Sequence, residues 1–144
     1  NNNSIYFSNN KNQFFSIDFN TDTTKWMQNI NSNIKQSLNV NFIFTLSLDG
    51  YFFIIEKKTG NILRITNLFN QLNNKKNEKF YLTGFVLNSQ NLFVSTTSGK
   101  LIIVDIKTGK VIKILKIDND IISRPFVKNQ NMYLIKDDSI IKLN

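Results

Sequence analysis

The sequence predicts an all-β fold, a partial β-propeller of about three and a half four-stranded antiparallel blades. Three observations carry that prediction. One strand-like line recurs as Asn3-Ser4-Ile5-Tyr6-Phe7, Asn41-Phe42-Ile43-Phe44-Thr45, Asn91-Leu92-Phe93-Val94-Ser95 and Asn131-Met132-Tyr133-Leu134-Ile135, its asparagines 38, 50 and 40 residues apart. A second line follows as Ser16-Ile17-Asp18-Phe19-Asn20-Thr21-Asp22, Ile54-Ile55-Glu56-Lys57-Lys58-Thr59-Gly60 and Val104-Asp105-Ile106-Lys107-Thr108-Gly109, its acidic residues 38 and 49 apart. Along each copy, β-branched and aromatic residues alternate with polar ones, and the i, i+3, i+4 spacing of a helix is weak. Strand-built repeats of roughly 40–50 residues are what propeller blades look like in sequence.

In chain order the repeats fall at 3–30, 34–67, 80–117 and 121–144, with a loop insertion over 67–79, in one propeller segment covering 1–144. In the first copy Ile5 and Phe7 share a face. In the second, Phe42, Phe44 and Leu46 share a face, while Tyr51, Phe53 and Ile55 oppose Phe52 and Ile54. The third copy reads as an innermost strand Leu82–Leu87, then Asn91–Thr96, Lys100–Ile106 and an outer strand Lys110–Ile117. Turns fall at Asp49-Gly50, Thr59-Gly60, Ser98-Gly99 and Thr108-Gly109, where glycine takes positive φ without strain. In the first copy Asp22 stands where glycine stands later, and aspartate enters the left-handed region less readily. The fourth copy supplies Pro125-Phe126-Val127, Asn131–Lys136 and Ser139–Leu143, but no outer strand. Such a set of blades leaves apolar faces and strand edges at its ends. The expectation is therefore the C-terminal part of a larger propeller, or a ring completed by self-association through those ends.

The acidic residue before each Thr-Gly corner has a structural reading. Asp18, Glu56 and Asp105 accept backbone N–H bonds from two or three residues on, and Thr21, Thr59 and Thr108 reinforce the turn closed by Gly60 or Gly109. The insertion holds Leu68, Phe69 and Leu72, suited to one helical turn or to packing on a blade. It also holds the dense basic group Lys75, Lys76 and Lys79, a candidate partner-binding loop.

Composition removes several chemistries. There is no cysteine, hence no disulfide, thiolate zinc site or cysteine nucleophile, and no histidine to act as a general base. The net charge of +8 comes almost wholly from lysines scattered over strands and turns, arginine appearing only at Arg64 and Arg124. Nucleic-acid surfaces cluster charge and favour arginine, so codon bias on a solvated surface explains the charge better. Alternating aromatics read as core, not as a base-stacking platform. No Gly-rich phosphate loop or nucleophile elbow is present. Asp118-Asn119-Asp120 hints at calcium but lacks the ligand spacing and distal glutamate of such a loop, and reads as a turn. No apolar run approaches the ~20 residues that span a bilayer, and the Asn1-Asn2-Asn3 opening has no signal-peptide pattern.

The run Asp18-Phe19-Asn20-Thr21-Asp22-Thr23-Thr24-Lys25-Trp26 resembles the quinoprotein-type repeat Asp-x-x-Thr-Gly-x-x-x-Trp. That resemblance implies a quinoprotein-like propeller in which Trp26 packs between adjacent blades. Arg64 and Lys113 take its place later, implying blades that dock less tightly or differently. The closing stretch, Ser123-Arg124-Pro125-Phe126-Val127 and then Asn131 to Asn144, is similar to the end of the BamB-type outer-membrane assembly lipoproteins. Tyr51-Phe52-Phe53-Ile54-Ile55 after Asp49-Gly50 resembles their aromatic strand. The resemblance implies the C-terminal portion of a non-catalytic, eight-bladed scaffold without cofactor or metal. It would sit at the periplasmic face of the outer membrane, on a lipid anchor borne outside this stretch. Its partners would be the insertase BamA and unfolded outer-membrane proteins. The alternatives are a fragment of a quinone-dependent (PQQ-type) dehydrogenase, or a generic protein-binding propeller in another compartment.

Overall fold

In the computed structural model, residues 3–32, 34–72 and 80–143 are described. They form fourteen strands and one short 3-10 turn, Phe69–Gln71. The strands are β1 (Ser4–Ser8), β2 (Gln13–Asp18), β3 (Thr24–Asn29), β4 (Ser37–Leu38), β5 (Phe42–Leu46), β6 (Tyr51–Glu56) and β7 (Ile62–Asn67). There follow β8 (Leu82–Leu87), β9 (Asn91–Thr96), β10 (Lys100–Asp105), β11 (Val111–Lys116), β12 (Phe126–Lys128), β13 (Asn131–Lys136) and β14 (Ser139–Leu143). Every pairing between neighbours is antiparallel. The four sheets run β1-β2-β3, β4-β5-β6-β7, β8-β9-β10-β11 and β12-β13-β14. The chain divides into two compact units, Asn1–Phe69 with the first two sheets and Asn70–Asn144 with the last two.

Strand pairing defines the repeat more sharply than the asparagines do. Asp18 pairs with Ser4, Glu56 with Phe42 and Asp105 with Asn91. Asn91 therefore matches Phe42 and Ser4, and Gln90 is the residue that matches Asn41 and Asn3. The same backbone bond marks the position three times: Phe19 N–H to Asn3 O, Lys57 N–H to Asn41 O and Ile106 N–H to Gln90 O. The asparagine register thus slips by one residue in the third copy, while the acidic residues hold it. The asparagines that shape these hairpins are Asn39 and Asn88. Each accepts two backbone N–H bonds through Oδ1, Asn39 from Asn41 (3.0 Å) and Phe42 (2.7 Å), Asn88 from Gln90 (2.9 Å) and Asn91 (2.7 Å). Such an Asx turn meets backbone donors the hairpin leaves open.

The next hairpin repeats as faithfully. Asn9, Ser47 and Thr96 each accept the backbone N–H four residues on, at 3.1, 3.0 and 3.0 Å. Gly50 and Gly99 turn the chain at φ +82° and +69°, and Asn12 does so in the first copy at +60°. Asparagine tolerates that region because its short polar side chain can hydrogen-bond to the local backbone.

Burial departs from the expected two-residue alternation where strands are central. Ile43, Phe44, Thr45 and Leu46 are buried in succession, because both faces of β5 are covered. Alternation survives in outer strands such as β7. Beyond β7, Leu68 and Leu72 are buried on either side of the 3-10 turn. Phe69 lies on Gly50, where an added Cβ would come within 2.5 Å of its ring.

Candidate functional site

The three acidic corners use one design with different reach. Asp18 Oδ1 accepts the Asn20 N–H at 2.9 Å, and Asp105 Oδ1 accepts both the N–H (2.6 Å) and hydroxyl (2.7 Å) of Thr108. Glu56, one methylene longer, accepts the Thr59 hydroxyl instead. Thr21 turns its hydroxyl to Thr23 at 2.8 Å. Gly60 (φ +75°) and Gly109 (φ +72°) donate to Glu56 O and Asp105 O, and Asp22 takes the same left-handed position at +54°. A hydrogen bond from Lys25, which also pairs with Asp18 at 2.8 Å, and then the Asn20 N–H hold Asp18 below the ordinary carboxylate range. The Thr108 hydroxyl and then its N–H do the same for Asp105.

A bulge next to each corner aims the outer strand. The register shifts at Ser16/Ile17, Ile54/Ile55 and Ile103/Val104, the same place in three copies. The extra residues Lys25, Leu63 and Ile112 are exposed, and the next residue in each copy is Trp26, Arg64 or Lys113. In the first unit this drives Trp26 into the seam between the first two sheets, where it is 8% exposed. A Cβ on Gly60 would lie 2.6 Å from the indole, so the turn glycine admits the ring. Trp26 Nε1 donates to Lys57 O at 2.9 Å, and Gln28 Nε2 donates to Gly60 O at 2.7 Å. Phe14, Ile30, Ile43, Phe53 and Ile55 complete the packing. Ser16, paired with both Tyr6 and Trp26, is small enough to let those rings approach to 5.9 Å between centroids. Among the described residues its buried hydroxyl has no partner, a cost borne for that closeness.

In the second unit the Gly109 turn is held by Gln71, whose Nε2 donates to Gly109 O at 2.9 Å and whose Oε1 accepts the Val111 N–H at 2.8 Å. Lys113 is exposed. Leu101, Ile122 and Leu134 pack between the third and fourth sheets, with Leu115, Ile117 and Met132 around them. Lys136 forms an ion pair with Asp118, whose other oxygen caps the backbone at Asn119 and Asp120. Those bonds fold Asp118-Asn119-Asp120 into a turn. Among the described residues no three His, Cys, Asp or Glu side chains are grouped to hold a metal. Gln28 was not legible as a seam residue, because Thr66 and Leu115 stand at its place in the later copies, and Gln71 lies outside the repeat. Asn39 and Asn88, missed as hairpin caps, carried a signal that could have found them: their spacing of 49 equals that of Glu56 and Asp105.

A cleft of about 430 Å³ opens in the first unit, with Tyr6, Lys25, Asn41, Glu56, Lys57 and Lys58 on its walls. Lys57 Nζ donates to Asn39 O at 2.7 Å and stands 5.9 Å from the Tyr6 ring centroid. The cleft offers ammonium groups and an aromatic ring to a polar ligand. Lys75, Lys76 and Lys79 lie outside the described residues.

Consecutive antiparallel sheets with a repeated corner and bulge, the first two joined through Trp26 on Gly60, are those of a β-propeller protein. Solved propellers share the arrangement. BamB from Moraxella catarrhalis matches with a TM-score of 0.74 at 18% identity, over 99% of this chain and 40% of that one. The Cps50 (Swd1) β-propeller domain of Myceliophteria thermophila matches at 0.72 and 14% identity, over 97% and 47%. A europium-containing methanol dehydrogenase matches at 0.58 and 16% identity, over 78% and 23%. The chain thus spans about 40% of the length of BamB, and at these identities the shared property is the fold. No family model matches the sequence, and no curated protein does.

Proposed function

We propose that the chain is a non-catalytic propeller scaffold that binds other proteins, in the assembly of outer-membrane β-barrel proteins at the periplasmic face of that membrane. The observation that carries this reading is the likeness to BamB over 99% of the chain, from which no repeat is left out. The residue-level resemblance of the closing stretch and the Tyr51 strand points the same way. The mechanism is loop contact and strand addition, in which backbone groups and corner loops engage extended client segments. Fold alone does not fix function, so the partner is the point to test.

The test is retention on immobilised BamA, with authentic BamB as the positive control. Retention at comparable affinity supports the reading. No retention under conditions that capture BamB overturns the outer-membrane role. The rival reading, a segment of a quinone-dependent dehydrogenase, draws on the methanol dehydrogenase likeness over 78% of the chain. Saturable binding of the quinone with calcium or a lanthanide would favour that rival.

A further inference from the structure

Arg124 has chemistry that the seams do not use. Among eighteen basic residues it is one of two arginines. It is half-buried, and its position is shaped by a glycine. Its stem crosses Gly84, where an added Cβ would lie 2.5 Å from Arg124 Cγ and 2.6 Å from its Cβ. The other four of the five glycines have the positive φ their turns require. Gly84 does not, so what glycine supplies there is room for the arginine.

The guanidinium is pinned on one side only. Its Nε–H donates to Phe85 O at 3.1 Å, and its central carbon stands 5.9 Å from the Phe85 ring centroid. Among the described residues no carboxylate pairs with it. Burial lowers its pKa, as expected for a cation withdrawn from water without a counter-charge. Arginine nonetheless stays protonated, so the charge remains, and among the described residues no partner occupies the fork of its two terminal nitrogens. That fork matches a carboxylate bidentately. Gly84 lies on β8, and Arg124 just precedes β12, the first strands of their sheets, which line the axis in propellers. Phe126 and Val127 on β12 are 40% and 56% exposed, apolar area that suits a peptide better than a phosphate.

We propose that Arg124 is an anchor for a carboxylate of a protein ligand, an acidic side chain or a chain terminus. This rests on the protein-binding reading above. The full chain, labelled with ¹⁵N, is titrated at constant ionic strength with hexaglutamate, with hexaglutamine carrying an amidated C-terminus, and with inorganic phosphate, following the Arg124 Nε–H resonance. Expected are a saturable shift with hexaglutamate, none with hexaglutamine, and phosphate binding about tenfold weaker. Arg124→Lys weakens hexaglutamate binding about fivefold, because an ammonium offers no fork, and Arg124→Met removes it. Arg64→Lys leaves it unchanged. Gly84→Ala displaces the stem without altering charge and lowers affinity, which keeps the test open should Arg124→Met not fold. An absent shift, equal affinity in Arg124→Met, or phosphate binding as tightly as the peptide overturns the proposal. Equal BamA retention by wild type and Arg124→Met sinks the anchor and leaves the protein-binding reading standing. Intact hexaglutamate binding without BamA retention does the reverse.

Discussion

Between the first and second sheets, Trp26 lies on Gly60 and five further buried apolar residues close the seam. Between the third and fourth, the matching outer strand shows Lys113 to solvent, and three buried aliphatic residues do the packing with the Lys136–Asp118 ion pair beside them. The outer strands at both seams carry the same bulge, but the corner that receives Trp26 belongs to the second copy, and the described residues of the fourth copy supply no counterpart to it. The difference teaches that the repeat specifies the sheet and its turns, while the seam is solved separately each time. An indole supplies large apolar area and one hydrogen bond in a single side chain. Where it is missing, aliphatic residues and a charge pair share the task.

The comparison breaks most sharply at Trp26. Trp26→Ala is expected to destabilise the first unit by about 3–5 kcal/mol, since it opens a cavity the corner glycine cannot fill. Hydrogen exchange should show protection lost in β2 and β6 while β9 and β10 keep theirs. Protection lost equally in both units would mean that they unfold as one.

The second seam should be weaker per contact and sensitive to salt. Lys136→Met is expected to cost about 1 kcal/mol, discounted because the lysine side chain is 37% exposed, and the loss should shrink as salt screens the native pair. Urea midpoints at low and high salt check this. An unchanged midpoint at low salt would remove the ion pair from the account of that seam.

Asp22 sharpens the comparison from the other side. At φ +54° it carries strain that Gly60 and Gly109 do not. Asp22→Gly is expected to stabilise the first unit by about 0.5–1 kcal/mol, read as a raised midpoint.

The smallest effect concerns acid. Asp105 is held below its unfolded value of 3.8 by the Thr108 hydroxyl and N–H. Its folded pKa is depressed, so its contribution is complete above about pH 4 and fades as pH falls through the folded value. Asp105→Asn should therefore differ most from wild type at neutral pH, and the gap should narrow in a urea series as pH falls below the ordinary carboxylate range. A gap of constant size from neutral to acid would place its cause outside the ionised carboxylate. Asp18, lowered by Lys25 and Asn20, follows the same direction.

Much of the fold was legible because its signals are local. β-Branched and aromatic runs mark strands, and glycine or asparagine at a corner marks positive φ. Asp18, Glu56 and Asp105 kept the register, since each carboxylate must meet donors within its own turn. Asn41 and Asn91 misled by one residue: neither side chain caps the hairpin, whereas Asn39 and Asn88 do. The buried succession Ile43 to Leu46 was hidden behind an expected alternation, because coverage of a second face depends on neighbours distant in the chain.

By itself, then, the sequence determined the repeated antiparallel sheets, their corners and the residues that turn them, all interactions spanning a few positions. Tertiary structure decided the distant contacts: Gln28 to Gly60 across the first seam, Gln71 of the 3-10 turn to Gly109, and Arg124 across Gly84, pairs separated by 32, 38 and 40 residues. The physical reason is that a bond within a turn is fixed by local dihedral angles. A bond across a seam exists only once two sheets have packed, and no spacing rule in the chain encodes where a side chain will then find room.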